Sequence, residues 1–69
     1  MSDEMDFFIL LLQEYADRKG ISAADVLRQW DAHAATQKIY DQYWTYHTES
    51  LENACADIDS LIATGTHAW

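Results

Sequence analysis

Proline is absent from this chain, and glycine occurs only at positions 20 and 65. A β-rich chain of the same size needs more residues that turn the backbone sharply. Both glycines stand where helical patterns stop, so the sequence reads as all-α: a compact bundle of four short helices forming one domain over residues 1–69. The helical core is expected over residues 3–62, with a short C-terminal tail over 63–69. At 69 residues the chain is near the lower limit for folding on a hydrophobic core alone, but its hydrophobic fraction of 49% supports a globular domain.

The first helix is expected from about Asp3 to Lys19. Ser2 can cap it, while Asp3, Glu4 and Asp6 suit its positive end and Arg18 and Lys19 the other. Gly20 offers a left-handed stop. Met5, Phe8, Ile9, Leu12, Tyr15 and Ala16 make its main apolar stripe, and Phe7 and Leu10 lie off it. Ser22-Ala-Ala-Asp25 opens a second helix as a capping-box variant, with Ile21 able to staple against Val26. That helix presents Val26, Leu27 and Trp30 inward and ends near His33 without a Gly or Pro. A third helix runs from Thr36 or Gln37 to about Thr48, and a fourth from near Ser50 to Thr64-Gly65. The predicted core is Phe8, Ile9, Leu12, Val26, Leu27, Trp30, Ile39, Tyr43, Tyr46, Leu51, Ile58 and Leu61.

The third helix carries two apolar stripes. Ile39, Tyr43 and Tyr46 recur at i, i+4, i+7, and Tyr40, Trp44 and His47 repeat that spacing one residue later. A helix that only closes a small core needs one stripe. The second stripe implies either a helix buried on two sides or a surface for a partner. At least one of the pairs Phe7/Leu10 and Tyr40/Trp44 is expected to contact another polypeptide, because a chain this short has little material to cover both. Asp41 and Glu49 would stand at the rim of that contact and govern encounter more than affinity.

The formal net charge is −8, and residues 39–69 hold five acids and no Lys or Arg. Direct nucleic-acid binding needs a basic face and is excluded on this ground. A helix-turn-helix reading fails for the same reason, since the third helix would offer Asp41 and Glu49 with only Lys38 to DNA. The expected partner is another protein with a basic surface, or a second copy in a homo-oligomer. The apolar run Phe7 to Leu12 is too short to span a membrane, and the acidic start lacks the positive region of a signal peptide. With a single cysteine, Cys55, the expected location is cytoplasmic.

No catalytic residue, cofactor site or metal site is expected. His33, His47, Cys55 and His67 form no ligand pair at metal-binding spacing, and Asp57 and Asp59 point to different faces of a helix. Cys55 and His47 invite a nucleophile-and-base reading, but Cys55 sits mid-stripe, where a thiol acts as a small hydrophobe. His47 fits better as a cation at a helix C-terminus or as a partner for backbone between the last two helices.

An ordered set of elements runs through the chain: Asp6-Phe7-Phe8-Ile9 through Glu14-Tyr15, Ile21-Ser22, then Ile39, Tyr43 and His47-Thr48, then Asp57-Ile58-Asp59 with Ile62. Over about residues 6–62 this set resembles a family of short bacterial proteins catalogued as domain of unknown function 3791. Ser50 stands where that family would have a Gly, and Gln29-Trp30 where it tends to have Leu-Phe. The resemblance implies an all-α fold, no known enzymatic activity and no catalytic residues. It also implies gene neighbours encoding larger, toxin-like proteins. The expected function is a small acidic protein-binding module, an antitoxin-like or accessory subunit. The competing class is an acidic mimic of nucleic acid that inhibits a basic enzyme, and a small enzyme stands last.

Overall fold

In the computed structural model, which describes residues 2–69, the chain forms α1 (Asp3–Lys19), α2 (Ala23–Ala32), α3 (Thr36–Asp41), α4 (Tyr43–Thr48) and α5 (Leu51–Thr64). No strand occurs among the described residues. Three serines start three of these helices in the same way. The Oγ atoms of Ser2, Ser22 and Ser50 accept the N–H groups of Met5, Asp25 and Asn53 at 3.2, 3.1 and 3.1 Å. Each satisfies a donor that the first helical turn leaves unpaired.

The stops are equally local. Gly20 takes φ +69°, its N–H reaches Asp17 O at 3.3 Å, and the Ile21 N–H reaches Ala16 O at 3.2 Å. This is the Schellman arrangement. Ile21 stays 44% exposed, its main contribution here being that backbone bond. α2 stops by the same device with no glycine: Ala34 has φ +54°, its N–H bonds Asp31 O at 3.1 Å, and Ala35 N–H bonds Trp30 O at 2.8 Å. Gly65, at φ +78°, ends α5 by donating to Leu61 O at 2.9 Å.

Two expectations need correcting. The helix foreseen from Thr36 to Thr48 is two, α3 and α4, so the bundle has five helices and not four. At Gln42 (φ −89°, ψ 18°) the N–H turns back to Ile39 O, three residues behind, at 3.2 Å. Ile39, Tyr40, Tyr43, Trp44, Thr45 and Tyr46 are middling helix formers, so packing outweighs helix continuity there. Tyr43, expected in the core, is only half-buried, while Ile39 and Tyr46 are fully buried.

The second correction concerns the inner face of α1. Its fully buried residues are Leu11, Tyr15 and Ala16. Phe8 and Leu12 pack beside them half-buried, and Ile9 is half-buried outside the core cluster. Six consecutive apolar residues offer no polar position to orient the helix, so α2 and α5 decide which ones face inward.

α1 is the central helix: α2, α3, α4 and α5 all pack on it. Leu11, Tyr15, Val26, Trp30, Ile39, Tyr46, Ile58 and Leu61 fill the space between. Trp30 meets Phe8 and Tyr15 edge-on at 5.8 and 5.6 Å between centroids, an arrangement that suits the ring quadrupoles. The Cα radius of gyration is 10.9 Å, against about 11 Å for a compact chain of this length.

Candidate interaction surface

Along α1, Asp3, Phe7, Leu10 and Glu14 fall at i, i+4, i+7, i+11 and share one line of the helix surface. Phe7 meets Tyr43 edge-on at 5.7 Å and His47 at 6.4 Å. Tyr43 and His47 stack on each other at 4.2 Å with 4° between their planes. The ring orientation is fixed by His47 Nδ1–H, which donates to Tyr43 O at 2.6 Å within the last turn of α4. Trp44 stands edge-on to both, 5.5 Å from Tyr43 and 5.2 Å from His47, yet is 75% exposed. Leu10, one turn along from Phe7, is 50% exposed. The result is an aromatic ledge spanning α1 and α4, with a tryptophan as its outermost element.

Each expected pair is thus divided. Phe7 is half-buried against Tyr43 and His47 while Leu10 is open to solvent. Tyr40 is half-buried, 5.7 Å from the Phe8 ring, while Trp44 projects. Two carboxylates at the start of α1 act on this apolar centre. The Tyr43 hydroxyl is held above its ordinary pKa, first by partial burial and then by the charges of Asp3 and Glu4. Asp41 is exposed and accepts Gln37 Nε2–H at 2.8 Å, and exposed Glu49 closes α4 by donating its N–H to Tyr46 O at 3.3 Å.

Against the buried Tyr46 face of α4 is a group that the sequence did not single out. Asp57 is a buried carboxylate, 2% exposed. The Tyr46 hydroxyl donates to its Oδ2. His67 Nδ1–H donates to the same oxygen at 2.7 Å, and the Ala68 N–H donates to Oδ1 at 2.6 Å. Trp69 stacks on His67 at 4.5 Å and meets Tyr46 edge-on at 6.1 Å. The residues beyond α5, expected as a plain tail, are thus folded onto a buried acid. Burial, and then the hydrogen bond to Asp57, push the Tyr46 hydroxyl far above its ordinary pKa. The signal was present in the sequence: Asp57 falls with Ala54, Ile58 and Leu61 at i, i+3, i+4, i+7 on the buried stripe of α5.

Cys55 lines an open cleft of about 430 Å³ between α1 and α5, with Tyr15, Arg18, Lys19, Glu52, Ala56 and Asp59. Asp59 Oδ1 accepts the Tyr15 hydroxyl at 2.7 Å and pairs with Lys19 Nζ at 2.9 Å. Burial pushes the Cys55 thiol up, away from the reactive thiolate, and no histidine lines the cleft. Among the described residues no three His, Cys, Asp or Glu side chains gather as metal ligands would. No helix among them is long and apolar enough to cross a membrane.

The chain belongs to the family described as Protein of unknown function (DUF3791), whose model matches residues 6–64. The match takes in Phe7, Leu10, Tyr40, Trp44 and Asp57 and stops short of His67, Ala68 and Trp69. No curated protein and no solved structure matches the chain.

Proposed function

We propose that this domain is a non-catalytic, acidic protein-binding module that docks through its α1–α4 ledge onto a larger protein with a basic surface, as an antitoxin-like or accessory subunit does. One observation carries the reading: Trp44 is 75% exposed while standing edge-on to Tyr43 and His47. Leaving an indole in water forgoes roughly 1.5–3 kcal/mol of burial, and aromatic anchors of this kind dominate binding energy at protein interfaces. The acids at the start of α1 favour a basic rim on the partner. A second copy is disfavoured, since each chain brings a net charge of −8 to the contact.

Support for a non-catalytic role comes from the buried, unactivated Cys55 and from the engagement of His47 and His67 in fixed hydrogen bonds. A free, buried thiol also suits the reducing cytoplasm in which we place the domain. The nucleic-acid-mimic reading differs in which side chains act: carboxylates such as Asp41 and Glu49 would then provide the contacts, and Trp44 would be dispensable.

The test is affinity purification from the native host, followed by calorimetry with the protein that the neighbouring gene encodes. Trp44→Ala should weaken binding about tenfold or more, equivalent to about 1.4 kcal/mol, with far-UV circular dichroism unchanged. Unaltered affinity in Trp44→Ala, with loss on Asp41→Asn and Glu49→Gln and competition by DNA, would favour the mimic instead.

A further inference from the structure

α4 meets α1 where Phe7 packs on Tyr43 and His47, and meets α5 through Tyr46. It is six residues long, and Tyr46 is its only fully buried side chain. Both its ends are joints. Gln42 breaks the helical path from α3 with no side-chain cap, and Glu49 is extended at φ −108° and ψ 179°. The inward anchor is therefore the Tyr46 ring and its hydroxyl, which donates to Asp57.

Asp57 depends in turn on residues outside the helices. Its carboxylate has three donors, Tyr46, His67 and Ala68, and two of them lie beyond α5. A carboxylate at 2% exposure is costly to bury unless its oxygens are hydrogen-bonded. Trp69 adds a lid, lying flat on His67 and edge-on to Tyr46. Loss of His67 or Ala68 as donors would admit water to Asp57 and loosen the seat of Tyr46. Loosening would spread outward through α4 to Tyr43, Trp44 and His47, which share its single turn and a half.

We propose that Thr66–Trp69 is a latch: gripping Asp57 through His67 and Ala68, it fixes Tyr46 and hence the position in which α4 presents the Trp44 ledge. His67 and Ala68 are positioning residues, acting through Asp57. The latch is a property of the free protein and stands apart from what the ledge binds.

The experiment is residue-resolved amide hydrogen exchange on the full chain. His67→Ala should speed exchange in α4 by about tenfold or more while the α2 amides of Leu27 to Trp30 change less than about twofold, since local opening has its own free energy. Ala68→Pro, which removes the other donor, should do the same. His67→Asn places an amide N–H where the Nδ1–H stood and should restore most of the protection. Unchanged α4 exchange, or an equal rise in every helix, would overturn the latch. So would equal losses in His67→Ala and His67→Asn, because the hydrogen bond would then not be the grip.

Discussion

Ala34 performs at the end of α2 the task that Gly20 performs at the end of α1. Both residues sit at positive φ, and the backbone bonds around them follow one pattern. The left-handed conformation costs a residue with a Cβ about 1–2 kcal/mol, and glycine returns about 0.5–1 kcal/mol of that through the flexibility of the unfolded chain. Ala34→Gly should therefore stabilise the domain by about 0.5–1 kcal/mol in urea denaturation, and a destabilised variant would contradict this account. Two tyrosines supply a second prediction. Burial leads the causes that raise the Tyr15 and Tyr46 hydroxyls above 10.0, followed by hydrogen bonds to Asp59 and Asp57. A raised folded value means that the folded state holds the proton more tightly, so this stabilisation is complete below pH 10.0 and is lost as pH rises further. Tyrosinate absorbance of these two residues should appear only together with alkaline unfolding. Tyr15→Phe should make the unfolding less steep with pH. The end of α2 near His33 was legible in the sequence, but its mechanism was not, because no residue type announces an alanine at positive φ.

Among the elements, α1 shows most clearly where sequence pattern stops being decisive. Its ends follow from Ser2, the charged first and last turns and Gly20, and they fall at Asp3 and Lys19 as the sequence implies. Its inner face does not follow, since Phe7 to Leu12 are all apolar and several rotations bury a comparable area. The observed rotation puts Leu11 at the centre and Leu12 at the flank. Leu11→Ala should cost about 2–5 kcal/mol, and Leu12→Ala clearly less, because the penalty scales with the cavity left in a packed site. Thermal melts of the two variants check the order, and a reversed order would place the helix face wrongly. The α3–α4 break was hidden for a related reason: Gln42 is neither a breaker nor a cap. Both aromatic stripes were visible at i, i+4, i+7, but which rings would stand free was not. Tyr40 is half-covered by Phe8 and Tyr43 by Phe7, both from α1, and nothing within the stripe itself foretells that.

For the molecule as a whole, charge is the dominant strain. Twelve acids face four Lys and Arg, and residues 39–69 contain no Lys or Arg. The first half lends them: Lys19 Nζ reaches Asp59 at 2.9 Å, and Lys38 Nζ donates to Gly65 O at 3.3 Å, at the end of α5. These exposed pairs are worth little singly, and self-repulsion of the remaining acids opposes the compact state. Added salt should therefore stabilise the domain, since screening falls hardest on the excess charge. Each 1 kcal/mol gained raises Tm by about 4–8 °C in a domain of this size, and calorimetry between low and high NaCl reads it. A Tm that falls with salt would mean that the ion pairs outweigh the repulsion. The distribution of the three tryptophans gives the molecule a further property. Trp30 lies in the core, Trp44 projects from the ledge at 75% exposure and Trp69 lies against an imidazole at 64%. Native emission is therefore a sum of three environments, and a soluble quencher should silence Trp44 first. Paired Trp→Phe replacements, each leaving one of the three, would turn the same chain into separate optical reporters of core, ledge and latch, with no added label.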